Sequence, residues 1–193
     1  MGEIYKPLFE HIRKFVSLSK EEESVLLSYL SHKKLKKKEL LLEQGQICPG
    51  NYFILEGCFF LFMTDESGTE QVVQFGIENW WITDYVSMDS QKPSKFNIRA
   101  IEHSTVAVLD KSRQDDLFQR VPQLERYFRV ILQRAFSATL QRIQFIFSMT
   151  GEERYRHFNN LFPAFVQRVP QYIIASYLGF TPEFLSKIRA KKV

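Results

Sequence analysis

Cysteine is scarce in this chain: only Cys48 and Cys58 among 193 residues. Two thiols are too few for a disulfide scaffold or for the four thiolate ligands of an iron–sulfur cluster, and this pair is not spaced as a Cys-x-x-Cys redox motif. The four histidines (His11, His32, His103 and His157) are scattered without metal-ligand spacing. No apolar run approaches the roughly 18 residues that a membrane span needs. The opening Met1-Gly2-Glu3-Ile4-Tyr5 lacks the basic-then-apolar layout of a secretion signal. Walker loops, Ser/His/Asp sets and paired-carboxylate motifs are missing too. A metal oxygenase built on a β-roll needs clustered His and Glu, and His103 is the one histidine in the region that reads as a roll. These absences argue against an enzyme, a metal site and a membrane partner, and they place the chain in a reduced cytoplasm.

What is present is an uneven charge. Residues 1–110 hold 12 Lys+Arg against 16 Asp+Glu, whereas residues 111–193 hold 14 against 6. A slightly acidic front and a strongly basic back fit two jobs, the second with a polyanion. The plainer alternative is an arginine-rich helical surface that is merely solvated.

The texture along the chain divides in the same way. Phe9, Ile12, Phe15 and Val16 recur at helical spacing, and Ser19-Lys20-Glu21-Glu22 forms a Ser-x-x-Glu capping box before Val25-Leu26-Leu27. From Leu35, short β-branched and aromatic runs (Leu40–Leu42, Tyr52–Leu55, Cys58–Met63, Gln71–Phe75, Asn97–Ile101 and Val106–Leu109) alternate with turn residues. That spacing predicts a small antiparallel roll with a hairpin tip at Asp65-Glu66-Ser67-Gly68. Lys33, Lys34, Lys36, Lys37 and Lys38 read as a solvated helix end and an edge strand whose lysines discourage pairing, or else as a contact for DNA or a polymerase subunit. After Asp110 the strand pattern stops. A short helix over 111–120 precedes Pro122, and Leu124 to Phe147 then runs without Gly or Pro. Along it Leu124, Phe128, Ile131, Ala135 and Ala138 keep 3-and-4 spacing, resumed after a slip near Arg142 by Ile143, Ile146 and Phe147. A helix that long outruns one small core, so it reads as a dimerisation helix, the alternative being a helix laid across its own roll. Thr150-Gly151 breaks it, and a further helix over 152–166 is interrupted at Pro163.

Residues 171–190 carry the most specific pattern. Ile174 and Leu178 form the inner face of a first helix, Ala175 is small where a second would cross it, and Gly179 sits at the turn, where positive φ costs it little. Phe180, Leu185 and Ile188 complete the apolar set. Thr181 is a good N-cap and Pro182 is preorganised for the first helical position. A helix-turn-helix of this kind presents the N-terminal half of its second helix to the DNA major groove. Glu183 is suited to accept from a cytosine amino group, and Ser186 and Lys187 to donate to guanine. Arg189, Lys191 and Lys192 are placed to neutralise phosphates, as is Lys187. A helical hairpin of a ligand-sensing protein-interaction module, without specific DNA binding, is the competing reading.

With these elements in order, the chain resembles the Crp/Fnr superfamily of bacterial regulators over roughly residues 8–193. Gly45 through Tyr52-Phe53-Ile54-Leu55-Glu56-Gly57 is similar to the family's glycine-to-glycine stretch, Gly68-Thr69-Glu70 falls at its hairpin, and Met149-Thr150-Gly151 at its hinge. The resemblance implies an α+β fold: a cyclic nucleotide-binding-like sensor roll over 1–121, a dimerisation helix over 122–149 and a helix-turn-helix domain over 150–193. It implies a homodimer on a palindromic operator in double-stranded DNA, RNA polymerase as a further partner, and a small-molecule effector in the roll. The effector set carried over is Thr83, Asp84, Ser94, Lys95 and Ser137. At these positions the family's Gly-Glu and Arg-Ser pairs are Thr83-Asp84 and Ser94-Lys95, and its paired hydroxyls are Ser137 followed by Ala138. The arginine suited to a cyclic phosphate is replaced by a point charge. No cofactor is therefore assigned, and cyclic nucleotide is the ligand that the family itself implies. Trp80-Trp81 beside the cassette reads either as a lid on an aromatic ligand or as core. Because the sequence stops three residues after Ala190, no wing hairpin is expected.

Overall fold

The structure, a computed structural model, describes residues 2–190. Two N-terminal helices open it, α1 (Lys6–Arg13) and α2 (Lys20–Tyr29). The capping box of α2 forms as its spacing predicts: Ser19 Oγ accepts from Glu22 N, and Glu22 accepts in return from Ser19 N at 2.7 Å. Eight strands follow, with one short helix among them in chain order. They are β1 (Leu30–Leu35), β2 (Leu40–Leu42), β3 (Gly50–Glu56), β4 (Phe59–Thr64), β5 (Glu70–Gly76), β6 (Trp81–Ile82), β7 (Asn97–Ala100) and β8 (Ser104–Asp110), with α3 (Tyr85–Ser90) after β6. Six more helices follow: α4 (Lys111–Arg120), α5 (Gln123–Ser148), α6 (Gly151–Leu161), α7 (Pro163–Arg168), α8 (Gln171–Leu178) and α9 (Pro182–Ala190).

The strands form two four-stranded sheets, ordered β1-β8-β3-β6 and β2-β7-β4-β5, antiparallel in the registered pairs. The class is α+β with an antiparallel roll, as the sequence implies. Alternation along β3 explains its unbroken apolar run. Tyr52 and Ile54 join Phe59, Leu61, Ile98 and Val106 in a core shared by both sheets, while Phe53 points the other way into a cluster with α1, α2, α4 and the start of α5. In that second cluster the Tyr127 hydroxyl accepts from the Trp81 indole N–H at 2.8 Å and lies 2.8 Å from His11 Nδ1. Burial of so large a polar side chain is tolerable only because its oxygen is satisfied.

The first strand begins at Leu30, directly after α2, five residues earlier than the sequence pattern indicates. Lys33 and Lys34 are exposed on this edge strand, paired to β8 on one side only; Lys36, Lys37 and Lys38 occupy the turn after it and not a helix end. The chain divides into two compact units: residues up to Met63 together with Gln74–Leu132, and Thr64–Val73 together with residues from Gln133 on. The division thus runs through α5, and it groups the β4–β5 hairpin tip with the C-terminal helices. None of the helices among the described residues is long and apolar enough to cross a membrane.

Candidate nucleic-acid interface

The second unit holds the helix-turn-helix. α6 starts from a second capping box, with Glu153 N donating to Thr150 Oγ1 and Glu153 Oε2 accepting from Thr150 N at 2.8 Å. The helix predicted over 152–166 is resolved into α6 and α7, because Pro163 cannot continue the first and instead opens the second. α8 ends at Gly179, whose φ of +76° lets its amide and that of Phe180 close on the last turn. Thr181 Oγ1 then accepts from Phe184 N at 3.3 Å, and Pro182 takes the first helical position of α9. Ile174, Ala175, Leu178 and Leu185 are buried where the two helices cross, while Phe180 and Ile188 are half-buried at the margin.

This packing leaves one face of α9 to solvent. Thr181, Pro182, Glu183, Ser186, Lys187 and Arg189 are all exposed; Lys191 and Lys192 lie outside the described residues. The Glu183 carboxyl is held below the usual carboxylate range, first by its own backbone amide, then by the Thr181 hydroxyl and the Lys187 ammonium. Ionised at neutral pH, it is an acceptor only. The face therefore offers acceptor, hydroxyl and cation on successive turns of one short helix.

Two features that the sequence reasoning missed support this domain. Arg142, near the end of α5, donates to the carbonyls of Val73 (2.7 Å), Val72 (3.3 Å) and Tyr177 (2.7 Å), with its guanidinium 4.1 Å from the Tyr177 ring centroid. Ser176 Oγ donates to Glu70 O at 2.8 Å and accepts from Val72 N at 2.9 Å. The hairpin tip is thereby clasped to α8 and α5. An interruption in the apolar rhythm at Arg142 was the available clue. The second feature is Phe184, a large apolar side chain exposed on α9.

The cassette residues lie in the first unit. Asp84 is buried and caps α3, accepting from Val86 N (3.0 Å) and Ser87 N (3.2 Å) on one oxygen and from Ser94 Oγ (2.7 Å) on the other. Thr83 Oγ1 donates to Gly50 O at 2.8 Å. Thr83, Asp84 and Ser94 are thus brought together and satisfied from within, while Lys95 is exposed. Residues 83–95 contain no arginine, so the segment is a poor fit to a ribose cyclic phosphate. Ser137 is exposed on α5, in the second unit. Trp81 is core and Trp80 is partly exposed beside it. Among the described residues no group of three or more His, Cys, Asp or Glu is arranged to hold a metal.

The long helix changes its buried face partway along. Leu124, Tyr127 and Phe128 are buried in the first unit and Ile131 packs against them, but Ala135 and Ala138, read as the same stripe, are exposed. The open apolar residues are instead Leu132, Phe136 (65% exposed), Leu140, Ile143 and Phe147 (86%). Their 4-4-3-4 spacing is that of one helical face.

In chain order a roll of two antiparallel sheets is followed by a long helix and a helix-turn-helix, and known proteins share this arrangement. Residues 32–121 match the family described as the cyclic nucleotide-binding domain. The chain is 26% identical over 165 residues to the transcriptional activator protein Anr of Pseudomonas protegens, spanning 80% of this chain and 67% of that one. Its fold is similar to that of FixK2 from Bradyrhizobium japonicum, with a TM-score of 0.73 at 15% identity over 84% of this chain and 83% of the other. It is also similar to CLP, a c-di-GMP responsive global regulator of Xanthomonas campestris, with a TM-score of 0.73 at 13% identity over 90% and 91%. The chain is thus similar in sequence to a transcriptional activator and in fold to a global regulator, and residues 32–121 match the cyclic nucleotide-binding domain model.

Proposed function

We propose that this chain, a DNA-binding transcriptional regulator of the Crp/Fnr type, works as a cytoplasmic homodimer on a palindromic operator and carries no catalytic activity of its own. One observation supports this above others: α9 packs through Leu185 and turns Glu183, Ser186, Lys187 and Arg189 to solvent together. Such a face at the N-terminal half of a second helix suits base edges, with the cations on phosphates. The dimer is supported by the open stripe of Leu132, Phe136, Leu140, Ile143 and Phe147, since exposed apolar rows on a long helix are buried by a like row. Two α9 helices then enter major grooves about 34 Å apart. RNA polymerase is the further partner.

The effector set Thr83, Asp84, Ser94, Lys95 and Ser137 carries into the proposal under one constraint. A ligand at the cassette either breaks the Asp84–Ser94 bond or is held through Lys95, so cyclic AMP is not the effector expected. The test is selection of bound sequences from randomised duplex DNA at two salt concentrations, with titration of cyclic AMP alongside. Enrichment of an inverted repeat with half-sites one helical turn apart, weakening steeply with salt, is the expected result. Equal recovery of all duplexes would remove the specific regulator from consideration, and a stoichiometric heat with cyclic AMP would overturn the constraint on the effector.

A further inference from the structure

The geometry points to Phe184 as the residue through which this protein reads thymine, by apolar contact with the C5 methyl group. The inference rests on the DNA-binding reading above and assigns it a base. Phe184 lies in the first turn of α9, three positions before Lys187 and one after Glu183, so its ring borders the polar face on the same helical surface. It is 45% exposed, on a surface otherwise made of a carboxylate, a hydroxyl and cations. The part that is not exposed is firmly seated. The Phe180 ring meets it edge-on at 5.2 Å, and the Phe180 face turned toward α6 is covered by the Arg154 guanidinium at 4.8 Å. At the start of α6, a side chain on Gly151 would come within 2.6 Å of the Phe184 ring, so the absence of one there gives the ring its place.

One edge of the ring is therefore fixed and the other is open. A fixed ring loses little rotamer freedom on binding, which makes it an efficient contact. In the major groove the thymine methyl is the one apolar group on any base edge, and apolar side chains are its matching partners. Glu183 and Lys187 have polar edges to meet; Phe184 between them has the methyl.

The test uses the full-length protein and its selected duplex, with each thymine replaced in turn by uracil. That replacement keeps pairing and removes only the methyl. For the wild-type protein the expected result is loss of about fourfold in affinity at one position per half-site, the transfer value of one buried methyl. Phe184→Ala is expected to bind the thymine and uracil duplexes alike, and Phe184→Leu to keep part of the preference. Indifference of the wild type to every uracil replacement overturns the inference even if Phe184→Ala fails to fold. Retention of the preference by folded Phe184→Ala overturns it equally. Failure to bind any duplex would be a different result: it removes the DNA-binding reading, and this assignment with it.

Discussion

Gly179 and Gly151 are both small for a reason, but the reasons differ and can be separated by substitution. At Gly179 the space is open, with nothing within 4 Å of an added Cβ, yet φ is +76°. The cost of Gly179→Ala is therefore conformational, about 1 kcal/mol by the left-handed penalty for an L-residue less the entropy gained from a stiffer unfolded chain. Chemical denaturation followed by circular dichroism should show that loss, with Gly179→Asn losing less because asparagine tolerates the region. A stabilised Gly179→Ala variant would contradict the turn. Gly151 occupies the first turn of α6 with ordinary backbone, where alanine is the better helix former by about 1 kcal/mol. The steric conflict with Phe184 opposes that gain. Gly151→Ala should accordingly cost stability in the wild-type background and cost less, or stabilise, beside Phe184→Ala. A double-mutant cycle with coupling of about 1 kcal/mol or more is the expected reading, and additivity would mean the ring is not seated there.

Among the elements, the clasp of the hairpin tip onto α8 makes the sharpest forecast. Val72 N–H is held by Ser176 Oγ, and the carbonyls of Val72 and Val73 by Arg142. Ser176→Ala should leave α8 folded and speed hydrogen exchange at the Val72 amide. Unchanged exchange would show that this amide is protected by something other than the serine. The clasp was invisible in the sequence because it joins residues about a hundred positions apart through backbone carbonyls, which leave no trace in side-chain pattern. The helix-turn-helix, by contrast, was legible at nearly every position, because Gly179, Thr181 and Pro182 act through local backbone chemistry that no distant contact overrides. Most strands were legible from their apolar alternation, and β3 from its unbroken run. β1 was legible only as an edge strand among the lysines and not in its bounds, since Ser31-His32-Lys33-Lys34 on an exposed edge has no alternation to read. On α5 the length was plain but the face was misassigned: Leu124, Phe128 and Ile131 continue numerically into Ala135 and Ala138, whereas the open apolar row passes to Leu132, Phe136 and Leu140. Periodicity identifies an apolar stripe; it does not say which core each part of the stripe meets. In the cassette, the residues named from the resemblance do sit together. What sequence did not disclose is that Asp84 and Ser94 satisfy one another.

Two properties belong to the molecule entire. Burial raises the pKa of Tyr52 and Tyr127, both almost wholly enclosed. A raised folded pKa on a group that is neutral when protonated means full stability below the unfolded value near 10 and loss above it, because the unfolded chain releases those protons first. Each such tyrosine should remove about 1.4 kcal/mol per pH unit once past that point, so the phenolate absorbance of these rings should appear together with unfolding; their earlier titration in the folded protein would contradict the burial. The second property is assembly. Phe136 is 65% exposed in the middle of ten consecutive exposed residues of α5, 132–141. An apolar row left open over three turns is a liability in a lone chain and an interface in a pair. In the proposed dimer, Phe136→Glu sets two carboxylates against each other across the two-fold axis, at a position outside the roll and the helix-turn-helix. Sedimentation at micromolar concentration should show a dimer for the wild type and a monomer of unchanged helicity for the variant. Because each half-site then binds alone, the variant should also lose the preference for an inverted repeat over a single half-site while keeping the salt dependence of each phosphate contact. A dimeric Phe136→Glu protein would show that the two copies meet elsewhere, and the row on α5 would then need another occupant.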